Sequence, residues 1–69
     1  MGLTEFDLVE ISKRVSDKLW ADLKSGKISK VDIYVIRRAL WADPECPQDE
    51  DKFDLLEERT TRRIVNKVG

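Results

Sequence analysis

Residues 29–44 read SKVDIYVIRRALWADP, and the secondary structure assigned to them decides the fold. The run Val31–Ile36 is rich in β-branched residues and could be read as a strand. Three features favour a helix. Ser29 and Asp32 form a capping-box-like pair, with Asp in place of the preferred Glu. Arg37, Arg38, Ala39 and Leu40 are strong helix formers. Asp43-Pro44 supplies the stop, because proline disfavours the helical conformation in the residue before it. At about 100° per residue, Val31, Val35, Ala39 and Ala42 line one edge of a buried face. Ile33, Ile36 and Leu40 extend that face past half the circumference. A stripe that wide predicts a helix lying between two others.

The flanking segments repeat the pattern. Thr4 is a natural N-cap, with Glu5 and Asp7 in the first turn behind it. Leu8, Ile11, Val15, Leu19 and Leu23 then recur at three- and four-residue steps until Ser25-Gly26, where glycine favours a helix end. Val9 and Trp20 widen the apolar side, and Trp20 is expected in the core. Ser12 and Ser16 lie within the stripe and are small enough for another helix to approach closely. Beyond the loop from Asp43 to Gln48, Phe53, Leu56, Thr60 and Ile64 give an inward face, with Val68 at its end. Leu55 lies off that stripe and Val65 at its border. The prediction is an all-α chain, a small three-helix bundle over 1–69, with helices at about 4–25, 29–42 and 49–67. The alternative is a helical hairpin whose third helix packs on a second subunit.

Size leaves little margin. A domain of 69 residues buries only about 60% of its unfolded surface and is usually stapled by a disulfide, a metal or self-association. Cys46 is alone, and the chain has no histidine, so neither an internal disulfide nor an ordinary zinc site is available. Self-association or docking on a larger partner remains, and completion by dimerisation is one expectation. No apolar run approaches the ~18 residues of a membrane span. The N-terminus is acidic where a signal peptide would be basic. Met1-Gly2 opens like a myristoylation site, but Phe6 stands where Ser or Thr is needed. The expected location is a reducing cytoplasm, with no membrane partner.

The net charge of −1 conceals a segregated pattern. Asp43, Glu45, Asp49, Glu50, Asp51, Asp54, Glu57 and Glu58 face a single base, Lys52, whereas Arg59, Arg62, Arg63 and Lys67 follow with no acid among them. An acidic start and a basic end suit a helix dipole. Asp43–Asp54 has acids at several places of a calcium-loop frame. However, Pro47 and Gln48 occupy the positions before and at the required glycine, and Asp54 replaces the closing Glu. Ser25-Gly26 suggests a helix-turn-helix, yet Asp22 stands where a small residue is wanted, and Ser25 and Lys27 where apolar ones are. Neighbouring carboxylates raise the Cys46 thiol, and no histidine can serve as its base. The expectation is a protein without enzymatic activity, cofactor or metal.

Tyr34, Arg37, Arg38 and Trp41 are left on the arc of the second helix opposite its buried face. These residue types dominate protein interfaces. The first functional expectation is therefore a protein-binding regulator, inhibitor or adaptor that docks this helix on a larger protein. A second is nucleic-acid binding through Arg37, Arg38, Arg62, Arg63 and Lys67, with Tyr34 and Trp41 stacking on bases. The slightly acidic net charge weighs against it. A third is a structural homodimer joined by the apolar faces of the first two helices. Two internal pairings compete with all three, because Arg37–Trp41 and Tyr34–Arg38 are four residues apart. Small, charged, helical chains are common among accessory proteins of phages and mobile elements, an association of composition only.

Overall fold

In the computed structural model, which describes residues 4–68 without the side chain of Val68, the chain is a three-helix bundle. Helix α1 spans Glu5–Ser25, α2 spans Ile33–Trp41 and α3 spans Glu50–Val68. Met1-Gly2 lies outside the described residues. Among the described residues no helix is long and apolar enough to cross a membrane.

Helix α1 has the predicted ends. The Thr4 hydroxyl accepts from the Asp7 N–H at 3.2 Å, and the Asp7 carboxylate accepts from the Thr4 N–H at 3.0 Å, closing a reciprocal capping box. Gly26 ends the helix at φ 85°, in the left-handed region that side chains with a Cβ rarely enter.

The start of α2 differs from the prediction. The helix begins at Ile33, and the cap is Asp32, whose carboxylate accepts from the Val35 N–H at 2.9 Å. The residue expected to complete a capping box is itself the cap. Ser29 to Val31 therefore lie in the connection, from which Ile28 and Val31 pack against the core. With the first turn lost, the buried arc narrows to Ile36 and Leu40, flanked by half-buried Val35 and Ala39. Ile33 is 46% exposed and Ala42 is exposed, correcting their expected burial. At the start of α3, the Asp49 carboxylate accepts from the backbone of Asp51 and Lys52.

The core closes within one chain. Leu8, Ile11, Val15 and Leu19 of α1 meet Ile36 and Leu40 of α2 and Leu56 and Ile64 of α3. The third helix thus needs no second subunit to bury it. It also packs on the apolar faces of α1 and α2, the faces that the homodimer expectation would join. Trp20 is only half-buried, with the Lys24 ammonium 5.9 Å from its ring centroid.

Contact between α1 and α3 is the most extensive in the bundle. Ser12, Ser16 and Thr60 are fully buried, and each hydroxyl donates to a carbonyl of its own helix, at Val9, Lys13 and Leu56. Their polarity is satisfied locally, and their small size allows close approach. The ion pairs Glu5–Arg59 and Asp17–Lys67 follow the same order along both helices, so α1 and α3 run in the same overall sense. Two helices of roughly 31 and 28 Å thus flank an α2 of only 9 residues, roughly 13 Å long. The Arg14 guanidinium grips Asp43 with two bonds of 2.8 and 3.0 Å, tying the middle of α1 to the end of α2.

Two outcomes test this account. Ser16→Leu should overpack the contact and cost about 1–3 kcal/mol in urea denaturation, whereas Ser16→Ala should be close to neutral. Asp32→Ala should lower the melting temperature at neutral pH, and Asp32→Asn, which keeps a cap acceptor but not the charge, should lower it less. The Asp32 carboxyl titrates below its ordinary 3.8, chiefly because the Val35 N–H donates to it, with Lys30 adding. A carboxyl lowered on folding stabilises above its unfolded value and loses that contribution as pH falls through the folded one. The gap between wild type and Asp32→Ala should therefore narrow below about pH 4 in thermal melts.

Candidate functional site

Starting α2 at Ile33 arranges its outer residues in two rows. Ile33, Arg37 and Trp41 follow one another at four-residue steps along the border with α3. Tyr34 and Arg38 form a second row farther from the bundle.

The first row is held by α3. The Arg37 Nε donates to the Glu57 carboxylate at 2.7 Å, and Glu57 is only 13% exposed. That carboxylate holds the guanidinium above its ordinary value, with Asp54 contributing. The Trp41 ring stacks on Phe53 with centroids 5.6 Å apart and planes inclined by 17°. Because 37 pairs with 57 and 41 with 53, α2 runs opposite to α3 along this border. Trp41 nevertheless remains 64% exposed. It is packing and surface at once, supported on one face and presented on the other.

The second row is freer. Tyr34 is 73% exposed and Arg38 is exposed. The quartet is thus brought to one face but divided by role. Arg37, expected to reach outward, is turned to Glu57, and the stacking expected between Arg37 and Trp41 gives way to two contacts with α3. Sequence reasoning placed Ile33 in the core, yet its 46% exposure adds it to this face. It also missed Glu57. The available signal was its position four residues after Phe53, where a carboxylate at the rim of the core needs a cation.

The five cations considered for nucleic acid are largely committed. Arg37 pairs with Glu57, Arg62 with Glu58 at 3.3 Å and Lys67 with Asp17 at 3.0 Å. Arg63 is half-buried in a groove between α1 and α3, lined also by Val9, Ser12, Leu55, Glu58, Arg59, Arg62 and Asn66. Arg38 stands apart on α2.

The acidic segment divides similarly. Asp43, first in the calcium-like frame, is occupied by Arg14, and Glu45 lies 3.2 Å from the same guanidinium. Among the described residues no three candidate ligands gather to hold a metal ion. Cys46 is half-buried, and burial, followed by the Asp43 charge, pushes its thiol up. That is the opposite of what a nucleophile requires.

No protein-family model, curated protein or solved structure matches this chain.

The division of the quartet predicts unequal mutational costs. Arg37→Ala leaves Glu57 mostly buried and unpaired, so it should lower the melting temperature more than Arg38→Ala does. Thermal denaturation followed by circular dichroism would settle the comparison. Equal effects would mean that the Arg37–Glu57 pair does not hold α2.

Proposed function

We propose that this protein is a small non-enzymatic interaction module, a regulator, inhibitor or adaptor that docks the outer face of α2 on a larger protein. The observation behind this reading is the pair of large aromatics left in solvent on one short helix, Tyr34 at 73% and Trp41 at 64% exposure. Ile33 adds apolar surface beside them. A side chain already held in place loses less freedom on binding, and Trp41 is held by Phe53. In this reading Tyr34 and Trp41 fill apolar recesses on the partner, and Arg38 pairs with a carboxylate at the rim. Arg37 sets the angle of α2 through Glu57 instead of contacting the partner. The exposed acids Asp49, Glu50, Asp51 and Asp54 favour a partner surface with basic character around that apolar centre.

Nucleic-acid binding remains the alternative, and the pairing of Arg37, Arg62 and Lys67 with internal acids weighs against it.

The test is a tagged pull-down from the native host, comparing wild type with Tyr34→Ala/Trp41→Ala. Most of both side chains lies in solvent and Arg37–Glu57 still ties α2 to α3, so the double variant should keep its helical spectrum, with a lower melting temperature from the lost Trp41–Phe53 stack, while losing the partner recovered by wild type. A folded double variant that retains every partner would overturn the assignment. Recovery of nucleic acid instead of protein, lost at moderate salt, would favour the alternative.

A further inference from the structure

The side of α3 facing away from Leu56, Thr60 and Ile64 presents Leu55, Glu58, Arg62 and Val65, the first three also bordering the open groove with α1. Their steps alternate between three and four residues, the seam spacing of two packed helices. All four are open to solvent: Leu55 is 37% and Val65 60% exposed, and the side chains of Glu58 and Arg62 are 65% and 76% exposed. The chain's own core therefore does not account for the two apolar members.

The order of these residues is self-complementary. About Thr60, Leu55 precedes by as much as Val65 follows, and Glu58 precedes by as much as Arg62 follows. Glu57 and Arg63 obey the same relation. Along the helix as a whole, the first half is acidic, with Glu50, Asp51, Asp54, Glu57 and Glu58 against Lys52, and the second is basic, with Arg59, Arg62, Arg63 and Lys67. We infer that two copies of this chain associate through this seam, their α3 helices antiparallel and centred on Thr60. Leu55 then meets the partner subunit's Val65, and Glu58 meets the partner subunit's Arg62.

Charge selects the orientation. A parallel pair would set Glu58 against Glu58 and Arg62 against Arg62, and like charges at a seam are repulsive. The antiparallel pair converts each Glu58–Arg62 contact, 3.3 Å within one chain, into a ring of four alternating charges. Such an interface is isologous and closes at two subunits. It also differs from the face proposed above. Phe53 and Glu57, which hold α2, lie outside the seam, so the dimer leaves Tyr34 and Trp41 uncovered. A seam of four side chains per helix is short, placing the dimer in the weak, transient class.

Sedimentation from micromolar to about 1 mM protein tests the inference. The mass should rise from 8.0 kDa toward twice that value. Glu58→Arg alone and Arg62→Glu alone should each weaken self-association at least about tenfold. Mixing the two variants should restore a dimer, because one then carries only Arg and the other only Glu at the two positions. Wild type that stays monomeric throughout overturns the proposal. So does a Glu58→Arg variant that self-associates like wild type, or a mixture that stays monomeric. For orientation, in a Cys46→Ser background that removes the free native thiol, Leu55→Cys/Val65→Cys should form an oxidative cross-linked dimer and Leu55→Cys alone should not. Efficient cross-linking of that single variant would indicate a parallel pair and exclude this one.

Discussion

Close approach of α1 to α3 is the constraint on which the rest of the bundle depends. It is possible because Ser12, Ser16 and Thr60 fill the contact with small side chains whose hydroxyls bond to their own helices. A larger residue would hold the helices apart, and a polar group without a local acceptor would be left unsatisfied in the core. The ion pairs of α1 with Arg59 and Lys67 border this contact at separate levels. Once the two long helices are joined, a short third element is enough to close the core. Ile36 and Leu40 do so from α2, with Leu40 fully buried.

That economy shapes the surface. Only a narrow arc of α2 faces inward, so Ile33, Tyr34, Arg38 and Trp41 remain outside. On α3, the same inward-facing stripe leaves Leu55, Glu58, Arg62 and Val65 on the far side. The molecule therefore presents two separate outer faces, each with apolar side chains that its own core does not use. One is proposed to meet a different protein and the other a second copy. For so small a core, either association would add stability by mass action, since only the folded chain displays these faces.

Much of this fold was legible in the sequence because its signals are local. Thr4 with Asp7, Gly26 and Asp43-Pro44 mark helix ends through contacts within a few residues, and each acts as expected. The stripe Leu8–Ile11–Val15–Leu19 likewise needs only helical periodicity. The start of α2 was misplaced because two adequate caps, Ser29 and Asp32, lie three residues apart. Local rules cannot rank them when Ile28 and Val31 are drawn onto the core from the connection. The partners of the candidate site were hidden for a related reason. Arg37–Glu57 and Trp41–Phe53 join residues distant in sequence, and which of several acids meets Arg37 depends on how α2 and α3 are aligned. Sequence geometry grouped the quartet, and tertiary contacts assigned its members different roles.

The shortness of α2 has a consequence for recognition. Isolated helices below about 12–15 residues are marginal in water, and α2 has 9. Its outer face is therefore not a linear epitope. It is assembled jointly by the Asp32 cap, the Glu57 carboxylate, the Phe53 ring and the Arg14 grip on Asp43. A synthetic peptide of the α2 sequence would contain the same aromatic side chains without the arrangement that presents them. A protein that recognises this face is, in effect, inspecting the tertiary fold, and a misfolded or partly degraded chain would be invisible to it.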